Sequence, residues 1–163
     1  MPLCRTGKAS RSVAEQRASE ISDEEEFVLP PPPRYIEPSI LKEAAEWQGL
    51  DEFGALAKLE ERVSLEVETA RVPMGPDMWG FTYTNRELRR CRIHLNSRLP
   101  RFWQSFALFH EIHHLLHDSR GCYFWSQTNA NMNSYEYQAD QFAWAVLMRE
   151  WSDGGGESEE FGE

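Results

Sequence analysis

The chain has 163 residues, 40% of them hydrophobic and 12% aromatic, enough for one ordinary domain around a single buried core. Its formal net charge of -10 excludes the basic footprint that a nucleic-acid backbone selects, so no direct nucleic-acid binding is expected. No apolar run approaches the roughly 20 residues of a membrane span, and the opening stretch to Arg17 lacks the apolar centre of a secretion signal. Cys4, Cys91 and Cys122 are sparse and follow no CxxC spacing, which fits a reducing, cytoplasmic setting better than a disulfide framework.

In chain order, residues 1–33 read as a polar tail. They contain the acidic run Asp23-Glu24-Glu25-Glu26 and end in Pro30-Pro31-Pro32-Pro33, a composition that buries little apolar surface and favours an extended spacer. Residues 152–163, with three consecutive glycines and a mostly acidic remainder, read as a second tail. Between them, residues 34–151 form the expected domain. Helices are predicted for Ser39–Trp47 and Asp51–Glu61, where Ile40, Leu41, Ala44 and then Phe53, Leu56, Leu59 recur at helical spacing. Residues 63–67 alternate as a strand. Trp79–Thr84 and Cys91–Leu95 are two further strands joined by the polar Asn85-Arg86-Glu87 turn. Pro100 opens a helix to His117, with Gly121 as its stop. Residues 119–133 show no clear period. A last helix is predicted for Ser134–Trp151, carrying Ala139, Phe142, Ala143, Val146 and Leu147 as an apolar stripe. Helices, a small sheet, then two helices make an α+β domain.

The stretch His110-Glu111-Ile112-His113-His114 contains H-E-x-x-H. Positions four apart lie on one face of a helix, so His110 and His114 can present two imidazoles to one Zn2+ ion. Glu111, about 100° round the helix, is placed to take a proton from water at the metal and act as the catalytic carboxylate. Leu108, Ile112, Leu115 and Leu116 gather on the opposite face, and Phe102 and Phe106 are expected to wall the cleft. His117 stands about 10.5 Å along the axis from His110, too far to share its ion easily, and is read as a cleft residue or as a partner of a ligating side chain. His113 is read as a surface or rim residue.

A third ligand has to come from another element. The last helix offers Glu136 and, one turn on, Asp140. Glu136 is the candidate ligand, and Asp140 the acceptor for the remaining ring nitrogen of a ligating histidine. Ala139 and Ala143 would let this helix come close. Asp118 and Cys122 are weaker candidates. Tyr123, Tyr135, Tyr137, His113 and His117 are within sequence reach to steady a reaction intermediate. Arg86, Arg89, Arg90 and Arg92 form a basic patch around the hairpin turn, read as a solvated turn or as a dock for an acidic partner.

These motifs, with Gly80-Phe81, Ile93-His94-Leu95-Asn96 and the run Glu136-Tyr137-Gln138-Ala139-Asp140-Gln141-Phe142-Ala143, resemble the ImmA/IrrE family of small bacterial and phage metallopeptidases over roughly residues 40–148. Arg149 stands where that family usually has proline, and His113 where glycine is common. The resemblance implies a small zincin-like domain, with a short twisted antiparallel or mixed sheet packed on a central H-E-x-x-H helix and a C-terminal ligand helix. It also implies a zinc endopeptidase acting on a protein substrate, typically a helix-turn-helix transcriptional repressor. The alternative is a zinc-containing binding module of the same fold that inactivates its partner by complex formation.

Overall fold

A computed structural model of the chain describes residues 27, 29–117, 122–126 and 134–154. Two helices, α1 (Pro38–Ala45) and α2 (Glu52–Val63), lead into the strands β1 (Glu66–Val72), β2 (Met78–Asn85) and β3 (Arg90–Asn96). Then come helix α3 (Arg101–His117), strand β4 (Cys122–Ser126) and helix α4 (Ser134–Gly154). Residues 1–26 and 155–163, most of the two expected tails, lie outside the described residues, as do Asp118 and Gly121. Phe27 is half-buried against the core.

Local chemistry starts and stops these elements. Pro38 occupies the first turn of α1, where its missing N–H costs nothing. The Asp51 carboxylate accepts the Gly54 N–H at 2.7 Å and caps α2, which ends on Ser64 in the left-handed conformation at φ 55°. Val63 belongs to α2 and not to the first strand as expected. Set four residues after Leu59, it continues the helical apolar stripe, and the strand begins only at Glu66.

The sheet has four strands in the order β1-β3-β2-β4. β1 runs parallel to β3, while β2 runs antiparallel to both β3 and β4, so the sheet is mixed. β4 arises from a stretch without apolar periodicity; pairing with β2, with Phe81 opposite Phe124 and Thr82 opposite Tyr123, is what makes it a strand. Alternation sends Cys91, Ile93 and Leu95 of β3 inward and leaves Arg90 and Arg92 exposed. The register sets Glu66 beside Arg90 and Glu68 beside Arg92, and each pair forms an ion pair. Arg89 donates to the Ser64 carbonyl. Two of the four arginines of the expected basic patch, Arg90 and Arg92, are therefore paired with carboxylates of β1. At the end of β3, the fully buried Asn96 amide donates to the Met74, Gly75 and Met78 carbonyls and accepts the Met74 and Arg98 N–H groups, tying the β1–β2 connection to the sheet.

α3 lies between the sheet and α4, and ten consecutive or near-consecutive side chains from Trp103 to His114 are buried. One end of this interface is aromatic. Trp79, Trp103, Phe106 and Trp144 pack edge to face at centroid distances of 5.4 to 5.9 Å, and Phe102 and Trp151 close the cluster from the side. Phe106 is thus core and Phe102 packs partly buried against it, and neither is a cleft wall. They share a stripe with His110, and α4 covers that stripe with Trp144. Only its continuation toward His114 remains for a site.

Candidate metal centre

Two helices build the centre. On α3, four-residue spacing brings the His110 and His114 rings to 4.8 Å between centroids, with Nε2 atoms 3.1 Å apart. From the first turn of α4, Glu136 reaches both: Oε2 lies 2.9 Å from His110 Nε2 and Oε1 lies 3.1 Å from His114 Nε2. The helices can approach this closely because Ala139 and Ala143 stand at the interface, both fully buried. One turn beyond Glu136, Asp140 Oδ1 accepts from His110 Nδ1 at 2.8 Å. That bond turns Nε2 toward Glu136 and His114.

The donor set fits a zinc ion. One ligand atom each from His110, His114 and Glu136 lies within 4.8 Å of the others. Tetrahedral bonds of about 2.0–2.1 Å require donors about 3.3 Å apart. Two nitrogens and a carboxylate oxygen are hard to accommodate so close together without a shared cation or a shared proton. The electrostatics agree. Burial opposes charging His110, but the Asp140 and Glu136 carboxylates outweigh it and raise its pKa to about 9. Burial likewise works against the Glu136 carboxylate, yet its bonds to His110 and His114 hold its pKa down at about 2.

Glu111 faces the sheet side of the same centre, with no exposed surface. Thr82 Oγ1 donates to its Oε2 at 2.7 Å. Burial raises the Glu111 pKa, and the charges of His110 and the Thr82 bond only partly restrain it. Beside Thr82, alternate residue Gly80 shares its sheet face. A Cβ there would lie 2.8 Å from the His94 carbonyl oxygen of β3, so glycine is what lets the two strands pair this closely beside Glu111, whose Cγ would be 3.8 Å away. Thr82 carries little signal in the sequence. Its only trace there is a polar residue on the buried phase of a strand.

The other expected site residues separate. His113 is not at the surface but 97% buried, its ring tilted against Phe142 with centroids 5.2 Å apart; desolvation and the neighbouring histidines push its pKa down to about 3. His117 is largely exposed and turns to α1, where its Nε2 lies 2.8 and 3.0 Å from the Glu43 carboxylate oxygens. Tyr137 is half-exposed on the outer side of α4. The backbone of Tyr123 lies in β4 opposite Thr82; its side chain, like those of Cys122 and Tyr135, lies outside the described part of the structure.

No described helix is long and apolar enough to cross a membrane. No curated protein and no solved structure matches the chain significantly. The family model Peptidase_M78, described as the IrrE N-terminal-like domain, does match, over residues 63–150. That segment is more than half the chain and includes the four strands, the H-E-x-x-H helix and Glu136. With that match added to a His-His-Glu cluster able to hold a metal, the chain belongs to the ImmA/IrrE metallopeptidase family.

Proposed function

We propose that the chain is a zinc-dependent endopeptidase acting in the cytoplasm, and that its substrate is a helix-turn-helix transcriptional repressor. The observation that carries the peptidase reading is the convergence of His110, His114 and Glu136 beside a fully buried Glu111. The repressor as substrate class rests on the family resemblance.

His110, His114 and Glu136 would hold the ion, and Asp140 would keep His110 in the tautomer whose Nε2 faces it. Zinc when bound supplies Lewis acidity, lowering the pKa of water to about 7 and polarising the scissile carbonyl. Glu111 serves as the proton carrier. Its burial brings the carboxylate nearer neutrality than an exposed glutamate, so it can take a proton from water and hand it to the departing amine nitrogen. Thr82 fixes one carboxylate oxygen and hence the plane of the group. β4 is the last strand in the order of the described sheet, and an extended substrate would add there as a further strand.

The test uses the purified chain with any helix-turn-helix repressor found encoded beside its gene. Glu111→Gln should slow cleavage by about 10²–10⁴-fold and retain zinc. Equal cleavage by this variant sinks the mechanism. Relief of repression that survives in the variant replaces the peptidase with a binding module that acts by complex formation.

A further inference from the structure

We propose that Glu43, His113 and His117 form a second metal site, for Zn2+ or a similar borderline divalent cation, that clips α1 to the last turns of α3. The site is separate from the peptidase centre and does not depend on it.

One ligand atom from each of the three residues lies within 4.8 Å of the other two. His113 and His117 repeat the four-residue spacing of His110 and His114, turned to another face of the same helix, and their rings are 4.4 Å apart between centroids. Glu43 arrives from α1, with both carboxylate oxygens within 3.0 Å of His117 Nε2. A surface ion pair between Glu43 and His117 would need nothing more. Yet a buried imidazole also converges on this pair, and His113 Nδ1 has no hydrogen-bond partner among the described residues. A polar nitrogen buried unmatched is unfavourable, and ligation through Nδ1 would satisfy it.

The donor chemistry selects the cation. Two imidazoles and one carboxylate suit Zn2+, Co2+, Ni2+ or Cu2+, whereas Mg2+ and Ca2+ favour all-oxygen sites. The partly exposed His117 and Glu43 give an entry path from solvent. Glu43 precedes the segment matched by the family model, so the set combines a residue outside that segment with two inside it.

The experiment titrates the chelator-stripped full chain with Co2+, followed by visible absorption, and with Zn2+, followed by equilibrium dialysis and elemental analysis. Uptake of about two equivalents is expected, falling to about one in both His117→Ala and Glu43→Gln. Both residues are partly exposed, so the variants should fold as the parent does, which circular dichroism checks. His110→Ala should lose the other equivalent and keep this one, which distinguishes failure of the peptidase centre from failure of the second site. A second equivalent that persists in both His117→Ala and Glu43→Gln, or uptake of only one equivalent by the parent, overturns the proposal and leaves an ordinary ion pair.

Discussion

Asp140 acts through His110, so its removal should be felt in metal affinity. The carboxylate is 17% exposed and sits 2.8 Å from Nδ1 of the fully buried His110. A charge-assisted bond of this kind is worth about 1.5–3 kcal/mol. Asp140→Asn keeps the shape and an accepting oxygen but loses the charge, so part of that energy survives. A loss of about 1.4–2.7 kcal/mol corresponds to 10–100-fold weaker zinc binding. Protons modify the result in a predictable direction. In the metal-free protein the pKa of His110 is raised to about 9, so an ion entering near neutral pH must displace its proton. Asp140→Asn lowers that pKa and eases the competition. The affinity deficit should therefore be smaller near pH 7 than near pH 9, and the protons released at pH 7 to 8 should be fewer. Competition with a chromophoric chelator gives the affinity, and calorimetry in two buffers of different ionisation enthalpy gives the protons. Affinity within twofold of the parent, with unchanged proton release, would refute the role assigned to Asp140.

Three further outcomes follow from the geometry. Thr82→Val removes the hydroxyl that donates to Glu111, and since that bond favours the ionised form, the Glu111 pKa should rise further. The acidic limb of the kcat profile should move to higher pH while zinc content stays constant; an unmoved limb counts against Thr82 as the positioning group. Gly80→Ala forces a Cβ to 2.8 Å from the His94 carbonyl, and urea unfolding should show a loss of about 1–3 kcal/mol. No loss would mean that β2 can shift freely away from the His94 carbonyl of β3. Without metal, the contact between Glu136 and His110 should make stability depend on pH. The Glu136 share is present above about pH 4.5 and lost as pH falls toward about 2, because its pKa is depressed. The His110 share is present below about pH 6.5 and lost as pH rises through about 9, because its pKa is raised. The gap in Tm between the metal-free parent and Glu136→Gln should be widest between about pH 4.5 and 6.5. A gap that is constant with pH would break the argument.

Much of the centre could be read from spacing alone. A helix repeats every 3.6 residues wherever it sits, so H-E-x-x-H already implies two imidazoles on one face and a carboxylate beside them. Glu136 and Asp140 carry the same local geometry, and the small Ala139 and Ala143 mark the face that comes close. The stripe of apolar residues likewise located α4, although it runs on to Gly154. Strand β4 was not legible, because its identity comes from pairing with β2 and not from any pattern within residues 122–126. Nor were Thr82 and Gly80 legible as neighbours of Glu111, since nothing local says which strand lies over which helical turn.

The sequence by itself therefore determined what one helix can present, because that geometry is set within a few residues. Which partners meet each face was decided by packing between distant segments. Packing put Phe106 in the core under Trp144 with Phe102 partly buried against it, buried His113 beside Phe142, and matched the arginines of β3 with glutamates of β1. It also carried His117 away from the peptidase centre to Glu43. These contacts join residues far apart in the chain, and their free energy exists only once the layers have closed.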